Sequence, residues 1–277
     1  MKGAAQMKRI ITTFTLVTLT IVGLFLANQT LLYARPSVTA TETMLTANQL
    51  YEAGQFSQAA QAYQQLVDQG FADSALFYNL GNAYFKQADY GRAILNYRRA
   101  EQLAPRDADI EANLNLARAQ IVDQLDEITT QEGFFSTLAG VTDGWLTLSE
   151  LAMISLGLWV SLAFLIIAFS SSKKGGGLRE GLGYALVVTA LLLTVGLIGL
   201  VSRMYVNSAQ AEAVVLAQEV DVTSGPGTQY VTEFALHNGA EVSMLETRGS
   251  WVRLALSDGE LQGWVPAAAV EAVSISK

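Results

Sequence analysis

Two runs without a charged residue constrain this chain most: Leu151–Phe169, 19 residues, and Gly181–Ser202, 22 residues. As helices rising 1.5 Å per residue they reach about 28 and 33 Å, enough to cross a hydrocarbon core of about 30 Å. Only Ser170–Glu180 separates them. Packed inside a soluble domain, such a hairpin would present more apolar surface than the remaining chain can cover. The sequence therefore predicts a transmembrane hairpin, with helices at 149–170 and 181–203 and a loop at 171–180. Composition agrees: 51% of residues are hydrophobic and 15% are charged, against about 25% charged in an ordinary soluble domain. The same figures exclude a disordered chain.

A third apolar run, Ile10–Ala27, follows Lys2, Lys8 and Arg9. Residues 1–40 thus read as a signal peptide or an N-terminal membrane anchor. Lys173, Lys174 and Arg179 face one acid, Glu180, in the loop between the later runs. Basic loops stay in the cytoplasm, so the segments on either side are expected outside. This makes the expected location a cell membrane, multi-pass, with the lipid bilayer as one partner. Residues 41–150 hold 15 acids and 6 bases, and residues 204–277 hold 9 and 3. With a net charge of −8, the chain lacks the basic footprint of a nucleic-acid binder. It has no cysteine and one histidine, His237, which excludes thiol catalysis and Cys/His zinc sites. No phosphate loop, serine-nucleophile elbow or zinc-protease motif is present. Catalytic, cofactor and metal residues are accordingly expected to be none. His237 reads as a surface turn residue. Asp107, Asp109 and Glu111 read as acids at a helix start, favoured by the helix dipole.

Residues 41–125 repeat with a period of 34. Phe56 matches Tyr90, Ala59 matches Ala93, and Tyr63 matches Tyr97. Counting from Ser74, the residues Phe77, Leu80, Gly81, Tyr84, Ala93, Tyr97, Ala100 and Pro105 fall at positions 4, 7, 8, 11, 20, 24, 27 and 32. This pattern resembles the tetratricopeptide repeat (TPR). It implies two helix–turn–helix repeats, 40–73 and 74–107, then a polar capping helix. Repeat 40–73 is degenerate in its first helix, with Thr46 and Ala47 where Leu and Gly are expected. The resemblance also implies a concave groove lined by the first helix of each repeat. Asn48, Tyr51, Tyr78, Asn82 and Phe85 would project into it, with Lys86 beside them. The two asparagine amides could hold the backbone of an extended peptide; a carboxylate clamp is disfavoured, because Lys86 is the only nearby base.

Beyond a linker at 126–148 and the hairpin, residues 204–277 change character. Short β-branched runs are cut by glycine turns at Ser224-Gly225-Pro226-Gly227, Gly239, Gly249, Asp258-Gly259 and Gly263. With Val220–Val222, Trp251-Val252-Arg253-Leu254 and Gly263-Trp264-Val265, they resemble a bacterial SH3 domain, which implies a small β barrel. Within that pattern Trp251 is expected at a ligand-facing edge and Trp264 nearer the fold. The predicted fold class is thus an α+β multidomain membrane protein: a TPR α-solenoid, a two-helix transmembrane hairpin and an SH3-like β barrel. That order, with Asn113-Leu114-Asn115-Leu116-Ala117-Arg118 after the repeats, resembles BatE, the TPR component of bacterial aerotolerance operons. The resemblance implies an envelope scaffold, not an enzyme, working beside von Willebrand A domain membrane proteins and a MoxR-type ATPase. The alternative from the residues is a wall-sensing protein whose SH3-like domain holds the cell wall.

Overall fold

The computed structural model describes residues 38–123, 146–172, 176–209, 211–256 and 261–275. The run Ile10–Ala27 and most of the 126–148 linker lie outside the described residues. The described chain is mixed α+β and divides into two compact units. One holds residues 146–201. The other unites residues 38–123 with residues 202–275.

Among the described residues, five helices build the N-terminal half of the second unit: α1 Val38–Glu52, α2 Phe56–Asp68, α3 Ser74–Lys86, α4 Tyr90–Leu103 and α5 Ala108–Arg118. The 34-residue period shows in their starts. Asp73 accepts the Ala75 N–H, and Asp107, one period later, accepts those of Asp109 and Ile110. Such caps satisfy backbone donors that have no partner inside the helix. Asp109 and Glu111 then occupy the first turn of α5. Small residues let each helix pair close. A Cβ at Gly81 would sit 2.7 Å from the Tyr97 ring and 3.3 Å from the Ala93 carbonyl. Ala47 holds the equivalent place in the first repeat and is fully buried. That repeat, degenerate in sequence, is a complete helix pair, because α1 still delivers Ala40 and Ala47 to a core with Ala59, Tyr63, Leu66 and Leu80.

Among the described residues, 211–256 and 261–275 form a seven-stranded sheet. Its strands are β1 Ala211–Val215, β2 Glu219–Thr223, β3 Thr232–His237, β4 Glu241–Arg248, β5 Trp251–Ala255, β6 Gln262–Pro266 and β7 Val270–Ala272. They run in the order β3-β2-β6-β5-β4-β1-β7, all antiparallel. The sequence predicts a closed barrel. The sheet instead stays open, since its end strands β3 and β7 pair with β2 and β1 alone among the described residues. Alternation still buries one face. Val215, Val222, Leu236, Val242, Leu254 and Val265, from β1 to β6, meet in one cluster.

The helices and the sheet share a core. Ala93, Ile94 and Tyr97 of α4 and Leu114 of α5 pack with Val214 of β1 and Val273. Polar bonds ring this contact. The Asn238 side chain accepts from the Gly91 N–H at 2.7 Å and donates to the Leu216 carbonyl at 2.9 Å. A Cβ at Gly91 would meet the Asn238 side chain at 2.7 Å and displace it from this place. Arg98 pairs with Glu212 and Glu241, and Arg118 takes Glu241 in a fork at 2.7 and 3.1 Å. Arg99 reaches Glu271 at 2.8 Å. Helix α5 does leave a polar outer face, but it does not end the array against solvent. Ile121 and Asp123, just beyond it, meet Gly239 and His237 of the sheet.

The other unit contains α6 Leu148–Ser171 and the body of α7 Gly177–Ala209. Thr147 and Glu150 form a reciprocal capping box at the start of α6. Both helices are long and apolar enough to cross a membrane. They meet through small groups: a Cβ on Gly196 would lie 2.8 Å from Ser155 Oγ, and one on Gly199 would lie 3.4 Å from Leu151. Their large side chains, such as Phe164, Val187 and Leu191, are exposed. Helix α7 overruns the expected end at residue 203 and reaches Ala209, two residues before β1. Arg203 does not stop it, because a single arginine near a helix end is a good helix former.

Candidate binding sites

The first helices of the two repeats, α1 and α3, carry every groove residue the sequence singles out. Asn48 and Asn82 do lie one period apart, and each is half-buried. Their carbonyl oxygens are already engaged. Asn48 Oδ1 accepts the Tyr63 hydroxyl at 2.6 Å and the Asn79 amide at 3.5 Å. Asn82 Oδ1 accepts the Tyr97 hydroxyl at 2.7 Å and the Asn113 amide at 2.9 Å. The two sets are the same arrangement moved by 34 residues. Each asparagine ties its own second helix to the first helix of the next repeat. Burial pushes the Tyr63 hydroxyl up to about 12 and raises that of Tyr97 as well, so both stay protonated donors at neutral pH.

Aromatic pairs repeat in the same way. Tyr51 meets Phe56 edge-on at 5.2 Å, and Phe85 meets Tyr90 edge-on at 5.6 Å. Tyr78 accepts the Asn113 amide at 2.9 Å and tilts against Tyr97 at 6.0 Å. Lys86 is exposed at the end of α3. The structure thus gathers Asn48, Tyr51, Tyr78, Asn82 and Phe85 on the first-helix side. What remains open to a ligand is the amide donors and the aromatic edges. Asn79 and Asn113 complete the network and were legible as a further pair 34 residues apart.

A second site lies on the sheet. The loop 224–231 and strands β5 and β6 enclose a cleft of about 530 Å³, lined by Tyr230, Glu233, Arg248, Arg253, Gln262 and Trp264, among others. Trp264 stands opposite Arg253 in the β5–β6 register, and Trp251 stands opposite Pro266. Val252 and Val265 face the core between them. Trp264 is therefore buried as the floor of a cleft rather than inside the apolar cluster. Trp251 is half-buried outside the cleft lining. The Arg248 guanidinium covers the Trp264 ring at 5.2 Å. Sequence reading missed Arg248 and Arg253; for Arg253, its alternation with buried Val252 and Leu254 was the available signal.

His237 ends β3 rather than sitting in a free turn. Its N–H donates to Asp123 Oδ2 at 2.6 Å, and its ring Nδ1 lies 3.0 Å from Asp123 Oδ1.

Two comparisons with known proteins bear on these sites. A tetratricopeptide-repeat profile matches residues 74–107, the repeat formed by α3 and α4. A Bacillus subtilis (strain 168) protein named "Putative N-acetylmuramoyl-L-alanine amidase YrvJ" is 34% identical over 82 residues. That match covers 30% of this chain and 15% of the length of the relative. The chain thus contains a tetratricopeptide repeat and shares one short region with that much longer protein.

Proposed function

We propose that the protein is a membrane-anchored adaptor whose helical repeats hold an extended segment of another envelope protein. The observation that carries this reading is the duplicated asparagine–tyrosine network on the first-helix side. It fixes two amide groups one repeat apart, with Tyr51, Tyr78 and Phe85 on the same two helices, and so offers donors at regular spacing. The repeat match supports protein–protein interaction as the mode of action. In this reading α6 and α7 form a transmembrane hairpin, and both flanking segments face outward. The BatE-like order of domains supports partners with von Willebrand A domains and, through them, a MoxR-type ATPase.

The test is co-purification of the full-length protein from membranes. Asn48→Asp with Asn82→Asp keeps the oxygen that accepts from Tyr63 and Tyr97 but removes the amide donors. Captured partners should fall several-fold while the unfolding midpoint holds. Capture at wild-type level would sink the groove assignment.

A second reading is favoured by the match to a protein named as an N-acetylmuramoyl-L-alanine amidase. In it the sheet contacts wall material directly. Full-length protein in detergent should then pellet with insoluble wall, and pelleting should survive the two asparagine substitutions.

A further inference from the structure

We propose that the cleft between loop 224–231 and strands β5 and β6 is a binding site for the carboxylate end of a short, extended peptide. This rests on reading the terminal sheet as a binding module. Residues 204–277 contain 9 acids and only two arginines, Arg248 and Arg253. Both arginines line this one cleft. An acidic domain that concentrates its guanidiniums in one concavity is complementary to an anion there.

The two groups are held in place. Arg248 lies over the Trp264 ring at 5.2 Å, with Glu246 steadying its Nε at 2.6 Å. Arg253 donates to Gln262 Oε1 at 2.9 Å. Each keeps further N–H donors, and a planar guanidinium fork matches a carboxylate in two-point contact. The facing wall is also fixed. The buried Thr223 hydroxyl lies 2.9 Å from the Gly225 carbonyl and 3.0 Å from that of Trp264, so it clamps the loop to β6. Gly225 admits the Tyr230 ring, which a Cβ there would meet at 2.6 Å. A site whose walls are set before binding loses less on ordering.

The remaining lining selects among anions. Glu233 repels a polyphosphate or a nucleic acid but suits the N–H or amine of a peptide. Tyr230 and Trp264 supply flat apolar surface for a chain with small side chains. A cleft of about 530 Å³ is of the size that holds a small ligand.

The experiment uses full-length protein in detergent micelles and isothermal titration. The probes are tetra-alanine with a free carboxylate and tetra-alanine with an amidated C-terminus. Binding of the free acid should exceed that of the amide by about tenfold or more. Arg253→Gln should abolish that preference, and Arg248→Gln should do the same, with circular dichroism unchanged. Sulfate at the same concentration should not displace the peptide. Equal binding of acid and amide, an unchanged preference in both arginine variants, displacement by sulfate, or no binding of the free acid would each overturn the proposal. Loss of the peptide signal with wall pelleting intact removes the cleft and leaves the wall reading. Carboxylate-dependent binding without pelleting does the reverse.

Discussion

Asn82 sits where three helices meet. Its oxygen takes the Tyr97 hydroxyl from α4 and the Asn113 amide from α5. Tyr97 is almost fully buried, at 1% exposure, so its hydroxyl has little access to water as a replacement. Asn82→Ala should therefore cost about 1–3 kcal/mol, the desolvation penalty of an orphaned buried donor. Asn82→Asp should cost much less. Denaturant midpoints of the two variants check this. The sequence places Asn48 and Asn82 as groove residues for a peptide; the hydroxyls on the second helices give both a structural bond as well. The turn between helices offers a change of opposite sign. Gly54, between α1 and α2, has φ 75°, and Ala88, one period later, has φ 58°. A left-handed conformation crowds the Ala88 Cβ against its own backbone. Ala88→Gly should stabilise the protein by up to about 1 kcal/mol, seen as a higher midpoint at unchanged slope.

Among the elements, α4 carries the greatest structural duty. Gly91, Ala93, Ile94, Leu95, Asn96, Tyr97 and Ala100 are all buried, more than one face of a surface helix requires. The cause is a second partner: α4 packs on α3 and α5 and also on β1. Its charged residues then become interfacial. Burial works against the Arg98 charge, but Glu212, Glu241 and Glu101 outweigh it and hold the guanidinium above its usual range. Glu241 serves two arginines at once, Arg98 and Arg118. Glu241→Gln should cost about 1–3 kcal/mol, since bonds to charged partners are worth more than neutral ones. The gap between variant and wild type should narrow in high salt, because added ions screen the remaining attraction. Urea titrations at low and high salt measure both effects.

At the scale of the molecule, the shared core fixes a relation that the chain order leaves open. Residues before and after the apolar helices pack together through Ile94, Val214 and Val273, so they occupy the same compartment. If α6 and α7 cross a membrane, as proposed above, two spans, in and back, satisfy that condition; one span would not. Cysteines placed at Gln58 and Thr228, both exposed, should react together with an impermeant thiol reagent in intact cells, and one at Ser172 should not. The chain has no native cysteine to interfere. Labelling of one of the first pair without the other would overturn the common placement. Local pattern was enough for the helices, the 34-residue period, the apolar pair and the strands of the terminal domain, because periodicity and turn residues act over a few residues. It also singled out Asn48 and Asn82. It could not find their bonds, the open sheet, the two-arginine cleft or the docking of α4 on β1. Each of these joins residues far apart in the chain, Gly91 with Asn238 and Arg118 with Glu241 among them. In the sequence Asn238, Arg118 and Glu241 read as surface polar groups, and only packing of the whole chain brings their partners within reach.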